Sequence, residues 1–220
     1  MIKKIKSSEE YLNLLKKFPK KRPILSQEYK DIYNQHYISN RSGSGFTNLL
    51  SQKMESWMHK KTASVIGKDI LELGAGNLNH IKYEHSFDNY DVVEPFSDLY
   101  KDSKNLSSLR NIFSSLRDVK NKYDKIFSIA TCEHLLNLPS EIILCKNLLL
   151  PNGTFQVAIP CEGEFAFKFG WMLTTGISFK LKHNLDYSKL IEYEHINTLS
   201  EIYTVLENNF RIIKFQRSPF

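Results

Sequence analysis

Asp69-Ile70-Leu71-Glu72-Leu73-Gly74-Ala75-Gly76-Asn77-Leu78-Asn79-His80 is the stretch from which the rest of the chain can be placed. Ile70, Leu71 and Leu73 make a short apolar run of the kind a strand buried on both faces needs, and parallel strands are buried in that way. The two glycines that follow permit a tight turn and let bare backbone approach a ligand closely. Glu72, two residues before the first glycine, suits a ligand with a cationic end. The spacing predicts a strand, a nucleotide-cradling turn and a short helix from Asn77 to Ser86. Ordinary strand-to-helix turns use glycine too, so the turn alone does not decide a function.

A second apolar run, Tyr90-Asp91-Val92-Val93-Glu94-Pro95, brings a carboxylate to its end twenty residues after Gly74. That separation presents an acid to ribose hydroxyls, since two ionised oxygens can accept from a vicinal diol. A dinucleotide fingerprint asks for a third glycine three residues after the second, and Asn79 stands there, which disfavours NAD.

Working outward, Ser97 is placed to cap a helix running to about Leu109. Asn111 to Leu116, Tyr123 to Ala130 and Gly153 to Pro160 read as the third, fourth and fifth strands. Pro139 opens a helix over Ser140 to Leu150, which Pro151-Asn152-Gly153 closes. A helix from Leu199 to Asn208 and a sixth strand from Arg211 to Phe215 complete the pattern. Strands alternating with helices imply an α/β fold: a doubly wound, mostly parallel Rossmann-like sheet with helices on both faces.

Upstream, Phe46, Leu49, Leu50, Met54, Trp57 and Met58 recur at helical spacing, so residues 46 to 61 form an amphipathic helix whose stripe is core. A short helix between Ser7 and Phe18 lies outside the sheet. Tyr29 to Tyr37 and the flexible Asn40 to Gly45 suit a lid in which Tyr33, Tyr37 and Arg41 close over a ligand, and equally a surface linker with packing tyrosines. Residues 161 to 194 break the alternation with aromatic residues, Trp171 among them, interleaved with lysines. This suits an acceptor-binding insertion or an ordinary small subdomain. The expected division is therefore a basic helical and lid segment, 1–45, and a main domain, 46–220, carrying the insertion at about 161–194.

The net charge of +6 is concentrated at the start, where residues 1–45 hold ten Lys or Arg against four acids and the remainder holds twenty of each. Such a segment suits a solvated helix surface, or contact with nucleic acid, anionic lipid or an anionic substrate, but no DNA-reading motif accompanies it and no DNA partner is expected. No apolar run approaches the roughly 18 residues of a membrane span, and the polar start points to the cytoplasm. Cys132, Cys145 and Cys161 lack metal-ligand spacing and are odd in number, so reduced thiols and no metal are expected.

Glu72-Leu73-Gly74-Ala75-Gly76 resembles the first motif of the class I S-adenosylmethionine-dependent methyltransferases, acidic-x-Gly-x-Gly, with Leu78 where a third glycine is usual. Tyr123 to Asn137, with Cys132-Glu133-His134-Leu135, looks like their fourth-strand motif, and Leu148 to Thr154 like the turn before their fifth strand. With Glu94, four ordered motifs cover roughly residues 68 to 160. The resemblance implies S-adenosylmethionine as cofactor, held by Glu72, Gly74, Ala75, Gly76, Glu94, Pro95 and Phe96. It further implies Leu116 near the adenine and Ala130, Thr131 and Cys132 on the methionine side. It also implies a sixth and seventh strand as a hairpin, of which only the sixth is legible before Phe220, so the exposed edge would need a partner or the amino-terminal segment as cover.

A sulfonium is already activated, so the protein has to align a nucleophile with the methyl group and exclude water. A hydroxyl acceptor also has to lose a proton, for which histidine is suited. His195, at the entry to the last helix, is the first candidate base, and His134, after the fourth strand, the second. Residues 161–197 are similar in general look to methyltransferases of bacterial surface-polysaccharide synthesis, which implies a sugar or nucleotide-linked sugar acceptor. A catalytically silent binding or partner subunit of the same fold is the competing reading, and an NAD-dependent oxidoreductase a third.

Overall fold

The computed structural model describes residues 8–33, 49–159 and 185–217, the side chains of residues 49–51 excepted. In chain order its main elements are α1 (Ser8–Leu15), α2 (Leu49–Ala63), β1 (Asp69–Leu73), β2 (Asn89–Val93), β3 (Asn111–Phe113), β4 (Tyr123–Ile129), α3 (Leu138–Leu148), β5 (Leu149–Ala158), α4 (Ser188–Glu194) and α5 (Leu199–Asn209). Residues 27–33 are helical as well. No helix among the described residues is long and apolar enough to cross a membrane.

The strands pair in parallel in the order β3-β2-β1-β4-β5. The chain builds outward from β1 to β3, then returns to lay β4 on β1's other side. Connections from β1 and β4 therefore diverge, and the carboxyl ends of these two strands border the crevice in which open α/β sheets bind ligands. Alternation along each strand splits the core between two faces. Ile70, Tyr90, Val92, Phe127 and Ile129 pack with Met58 of α2 on one face. Leu71, Leu73, Val93 and Ile126 pack with Cys145 and Leu148 of α3 on the other. Leu14 of α1 joins Ile202 and Val205 of α5 and Leu138 and Ile142 of α3 in a third cluster.

Asp91 places a charge inside this frame. Asp91 of β2 takes a two-pronged contact from Arg110 (2.6 and 3.0 Å) and a 2.7 Å bond from the Tyr123 hydroxyl. Burial alone would raise its carboxyl, but those donors outweigh it and hold the pKa below the ordinary value.

Several expected elements take a different form. Between Asn77 and Ser86 there is no α-helix, only turns and a short 3-10 segment, Ile81–Tyr83. Likewise the helix expected from Ser97 to Leu109 is two 3-10 pieces, Ser97–Leu99 and Leu106–Ser108, and Ser97 does not cap. The reason is competition from short polar side chains. Ser103 Oγ donates to Asn77 O (3.1 Å) and Asn105 Nδ2 to Leu78 O (2.9 Å), so each irregular stretch holds the other. The third strand is shortened to three residues for a similar reason: Ser115 turns its hydroxyl to the Arg117 N–H and starts a 3-10 turn.

The sixth strand expected from Arg211 to Phe215 does not form among the described residues: residues 211–217 carry no strand, and Ile213 is 73% exposed. A strand needs a neighbour for its backbone groups, and among the described residues no sixth strand joins the sheet beside β5. Of the amino-terminal segment, expected with a partner as the alternative cover for that edge, the described α1 packs on α5.

Candidate active site

The glycine turn lies where the switch in strand order requires it. Gly74 and Gly76 have φ of 76° and 53°, left-handed values that glycine adopts without a side-chain penalty. Leu78, at the place of the usual third glycine, has φ 64°. The loop thus keeps a glycine-like path through a leucine, and the strain, about 1–2 kcal/mol, is offset by burial of that side chain to 1% exposure. The close approach expected between Gly74 and a ligand is taken up by protein instead. A Cβ on Gly74 would fall 2.2 Å from Thr131 Oγ1, whereas one on Gly76 would meet nothing within 4 Å. Gly74 therefore lets the ends of β1 and β4 meet, and Gly76 is the glycine that faces open space.

Glu94 closes the turn from β2. Its Oε2 accepts from Gly76 N (2.8 Å) and its Oε1 from Phe96 N (3.1 Å). A carboxylate offers about four lone-pair positions, so both oxygens keep capacity for a diol. Pro95 and Phe96 are exposed beside it, and Ala75 is buried beneath. Glu72 is nearly closed to solvent and accepts a 2.7 Å bond from the Tyr90 hydroxyl. Burial is the main cause that pushes its carboxyl up to about 8, with Glu84 and Glu94 adding repulsion.

Beneath the turn runs a polar chain that the motifs do not foretell. His80 Nε2 meets Glu84 Oε1 at 2.8 Å, and the two histidines His59 and His80 meet through their Nδ1 atoms at 2.8 Å. Buried Lys125 pairs with the same Glu84. Burial lowers the pKa of both His80 and Lys125. With Glu84 ionised, His80 Nε2–H donates to it and neutral His80 Nδ1 accepts from His59. This chain anchors the irregular stretch after Gly76 to α2 and β4.

On the opposite lip, Ala130 has φ 51° and Thr131 rests on Gly74. Cys132 and Leu116 are enclosed in the core, and burial pushes the Cys132 thiol up to about 12. As placed here, both side chains support the lip from behind. His134 and His195, 61 positions apart in the chain, come together with ring centroids 4.8 Å apart and ring planes at 70°.

Backbone bonds hold this pair. Ile196 N and Asn197 N both donate to Glu133 O (3.0 and 3.1 Å), and Asn197 Nδ2 donates to Cys132 O and Leu135 O (2.9 and 2.7 Å). Two amino-terminal cations complete the clasp: Lys20 Nζ donates to Ile196 O (2.7 Å), and Arg22 to Tyr193 O (2.5 Å) and His134 O (3.3 Å). Part of the basic segment is thus internal scaffolding. Beside His195 a shallow depression of about 460 Å³ is lined by Lys17, Lys20, Lys21 and Glu192.

Tyr33 packs edge-on against Tyr193 (5.2 Å), within a cluster of Leu25, Tyr29 and Leu190. The Tyr29 hydroxyl donates to Asp186 O and accepts from Asp186 N, both at 3.0 Å. The described start of the segment read as a lid or a linker, with Tyr29 and Tyr33, and the described end of the region read as an insertion or a small subdomain, with Leu190 and Tyr193, therefore meet in one aromatic cluster. Tyr37, Arg41 and Trp171 lie outside the described residues.

No protein-family sequence model matches the chain, and no curated protein matches it either. Solved structures do. The plantazolicin methyltransferase BpumL, in complex with a monoazolic desmethylPZN analog and SAH, matches 91% of this chain and 77% of its own at 13% identity, with a TM-score of 0.57. The chain has the class I methyltransferase fold. Smaller matches include Streptomyces venezuelae DesVI, over 64% of this chain and 61% of DesVI at 14% identity (TM-score 0.43), and an S-adenosylmethionine-dependent methyltransferase from Clostridium acetobutylicum, over 56% of each at 17% identity (TM-score 0.40). The chain spans less than two thirds of the length of these two proteins. In the methyltransferase fold seen here, Gly76, Glu94 and Thr131 all sit at the carboxyl ends of the parallel strands, bordering one crevice.

Proposed function

We propose that the chain transfers a methyl group from S-adenosylmethionine to a hydroxyl of a small-molecule acceptor, a sugar or nucleotide-linked sugar, in the cytoplasmic steps of surface-polysaccharide synthesis. The observation that carries this reading is the open Gly76 corner tied to Glu94 at the switch point of the sheet. The BpumL structures that share the fold hold SAH, the demethylated cofactor. The sugar preference rests on the aromatic residues and lysines of 161–194 and on the lysine-lined depression beside His195.

When bound, S-adenosylmethionine supplies an electrophilic methyl group on a sulfonium. Glu94 accepts from the ribose diol, and Gly76 leaves room for the ligand. His134 Nδ1 lies 2.9 Å from Glu194 O, and a carbonyl only accepts, so the neutral ring carries its proton on Nδ1 and its lone pair on Nε2. His134 or its neighbour His195 would take the acceptor's proton as the oxygen attacks. Thermal shifts with S-adenosylmethionine, S-adenosylhomocysteine and NAD test the reading: stabilisation by the first two alone supports it, and by NAD alone overturns it.

Glu94→Ala is expected to weaken cofactor binding by about 1–3 kcal/mol, because buried hydroxyls lose a charged acceptor and the turn its tether. Calorimetry that returned an unchanged affinity would sink the ribose assignment.

Glu72 gives a pH signature. Its folded pKa, about 8, lies above that of the unfolded chain, so the native state keeps a proton that the unfolded state has lost. Stability of the empty protein therefore falls as pH rises from about 4.5 toward 8 on its account. A cationic ligand end nearby would favour the ionised carboxylate, so binding at pH 7 should release up to one proton. Titrations in two buffers of different ionisation enthalpy read this directly, and equal heats in both would show that Glu72 does not sense the ligand.

A further inference from the structure

Three ligating side chains meet beyond the end of β4, although the sequence holds no metal-ligand spacing there. Glu133, His134 and His195 each bring a carboxylate oxygen or ring nitrogen within 4.8 Å of the other two, and Glu133 Oε1 lies 4.0 Å from His134 Nε2. We propose that this trio binds a divalent transition-metal ion of the Zn²⁺ class.

The donor set is the first argument. Two imidazoles and one carboxylate suit Zn²⁺ and its first-row neighbours, whereas Mg²⁺ and Ca²⁺ prefer sites built wholly of oxygen. Three protein ligands are also the number that leaves a coordination position for water or substrate. The geometry is the second. A triangle of side 4.8 Å has its centre about 2.8 Å from each corner, so reaching bonds of about 2.0–2.2 Å asks each atom to move by roughly 0.7 Å. Small side-chain rotations cover that distance.

The surroundings are the third argument. Metal-bound histidines commonly donate their second ring N–H to a carbonyl, which fixes the tautomer, and His134 Nδ1 makes that bond to Glu194 O at 2.9 Å. The backbones carrying the ligands are already locked through Glu133 O and the two carbonyl bonds of Asn197 Nδ2. Glu133 is 2% exposed, while both histidines are half-buried, so an ion enters from the histidine side. Lys20 and Arg22, the neighbouring cations, are turned to carbonyls and to Glu201.

The consequence for chemistry rests on the methyl-transfer reading. An acceptor hydroxyl bound to the ion loses its proton to solvent. Its oxygen pair forms the new O–C bond, and the S–C bond breaks with its electrons staying on sulfur. Histidine then acts through the metal and not as a free base.

The test uses the full chain, stripped with EDTA and desalted, titrated with ZnCl₂ by calorimetry and with CoCl₂ by visible absorption. One ion per chain is expected, with Co²⁺ bands of a four- or five-coordinate site. His195→Ala and His134→Ala should each weaken Zn²⁺ binding by at least about 100-fold, while His85→Ala, on an exposed residue outside the cluster, should leave it unchanged. If circular dichroism shows that a variant at 134 does not fold, His195→Gln carries the test. No stoichiometric binding, or equal affinity in the cluster variants and the wild type, overturns the proposal. The titration needs no methyl donor, so its failure leaves the methyltransferase reading standing, and failure to bind S-adenosylmethionine leaves the metal site standing.

Discussion

Gly74→Val should leave little folded protein. The added Cβ would fall 2.2, 2.4 and 2.8 Å from Oγ1, Cγ2 and Cβ of Thr131, distances no real contact tolerates. Thr131 has little freedom to withdraw, since its hydroxyl donates to Ile129 O at 3.1 Å and its backbone follows the strained Ala130. Overpacking costs about 1–3 kcal/mol, and a β-branched residue at φ 76° adds further strain. A combined loss of roughly 3–5 kcal/mol is comparable with the whole stability of many domains. Urea unfolding measures it directly. Gly76→Ala is the informative contrast: its Cβ meets nothing within 4 Å, so the penalty is confined to the left-handed backbone, about 1 kcal/mol, yet cofactor affinity should fall sharply. If Gly76→Ala binds S-adenosylmethionine normally while melting near the wild-type temperature, the turn does not face the ligand.

His195→Ala is expected to lower turnover by about 10²–10⁴-fold while S-adenosylmethionine affinity stays unchanged. The separation follows from position, because His195 sits against His134 beyond β4, and Gly76 and Glu94 hold the other side of the crevice. A rate limb near pH 6–7 that disappears in the variant identifies His195 as the titrating base. A limb that persists passes the role to His134. Loss of rate that accompanies loss of bound Zn²⁺ assigns the histidine to the metal.

The parallel sheet was legible because Ile70 to Leu73, Tyr90 to Val93 and Tyr123 to Ile129 are apolar runs whose burial on both faces leaves no other arrangement. Glu94 was legible for a related reason: a strand-end acid at a fixed distance from a glycine turn has a definite place. The irregular stretches 77–86 and 97–109 were not, since they are held by Ser103 and Asn105 reaching Asn77 and Leu78 across a tertiary contact that periodicity does not encode. Gly74's true neighbour was hidden likewise, because Thr131 reaches it only when β4 lies beside β1. The meeting of His134 with His195 had one overlooked signal, the repeated Glu-His at 133–134 and 194–195, which marks both sides of the cluster but says nothing of their distance. Arg211 to Phe215 misled for the opposite reason: its β-forming residues are present, and among the described residues no strand lies beside it.

The clasp made by Lys20 and Arg22 has a consequence for the order in which the molecule comes together. Its bonds join positions 112 to 181 residues apart, whereas β1, β2 and β4 are separated by a few tens of residues. Contacts that close the longest loops form late, and during synthesis the residues beyond 190 leave the ribosome after all five strands of the sheet. The glycine turn with Glu94 can thus be finished on a chain still being made, while the histidine side is assembled only when the two ends of the described chain find each other.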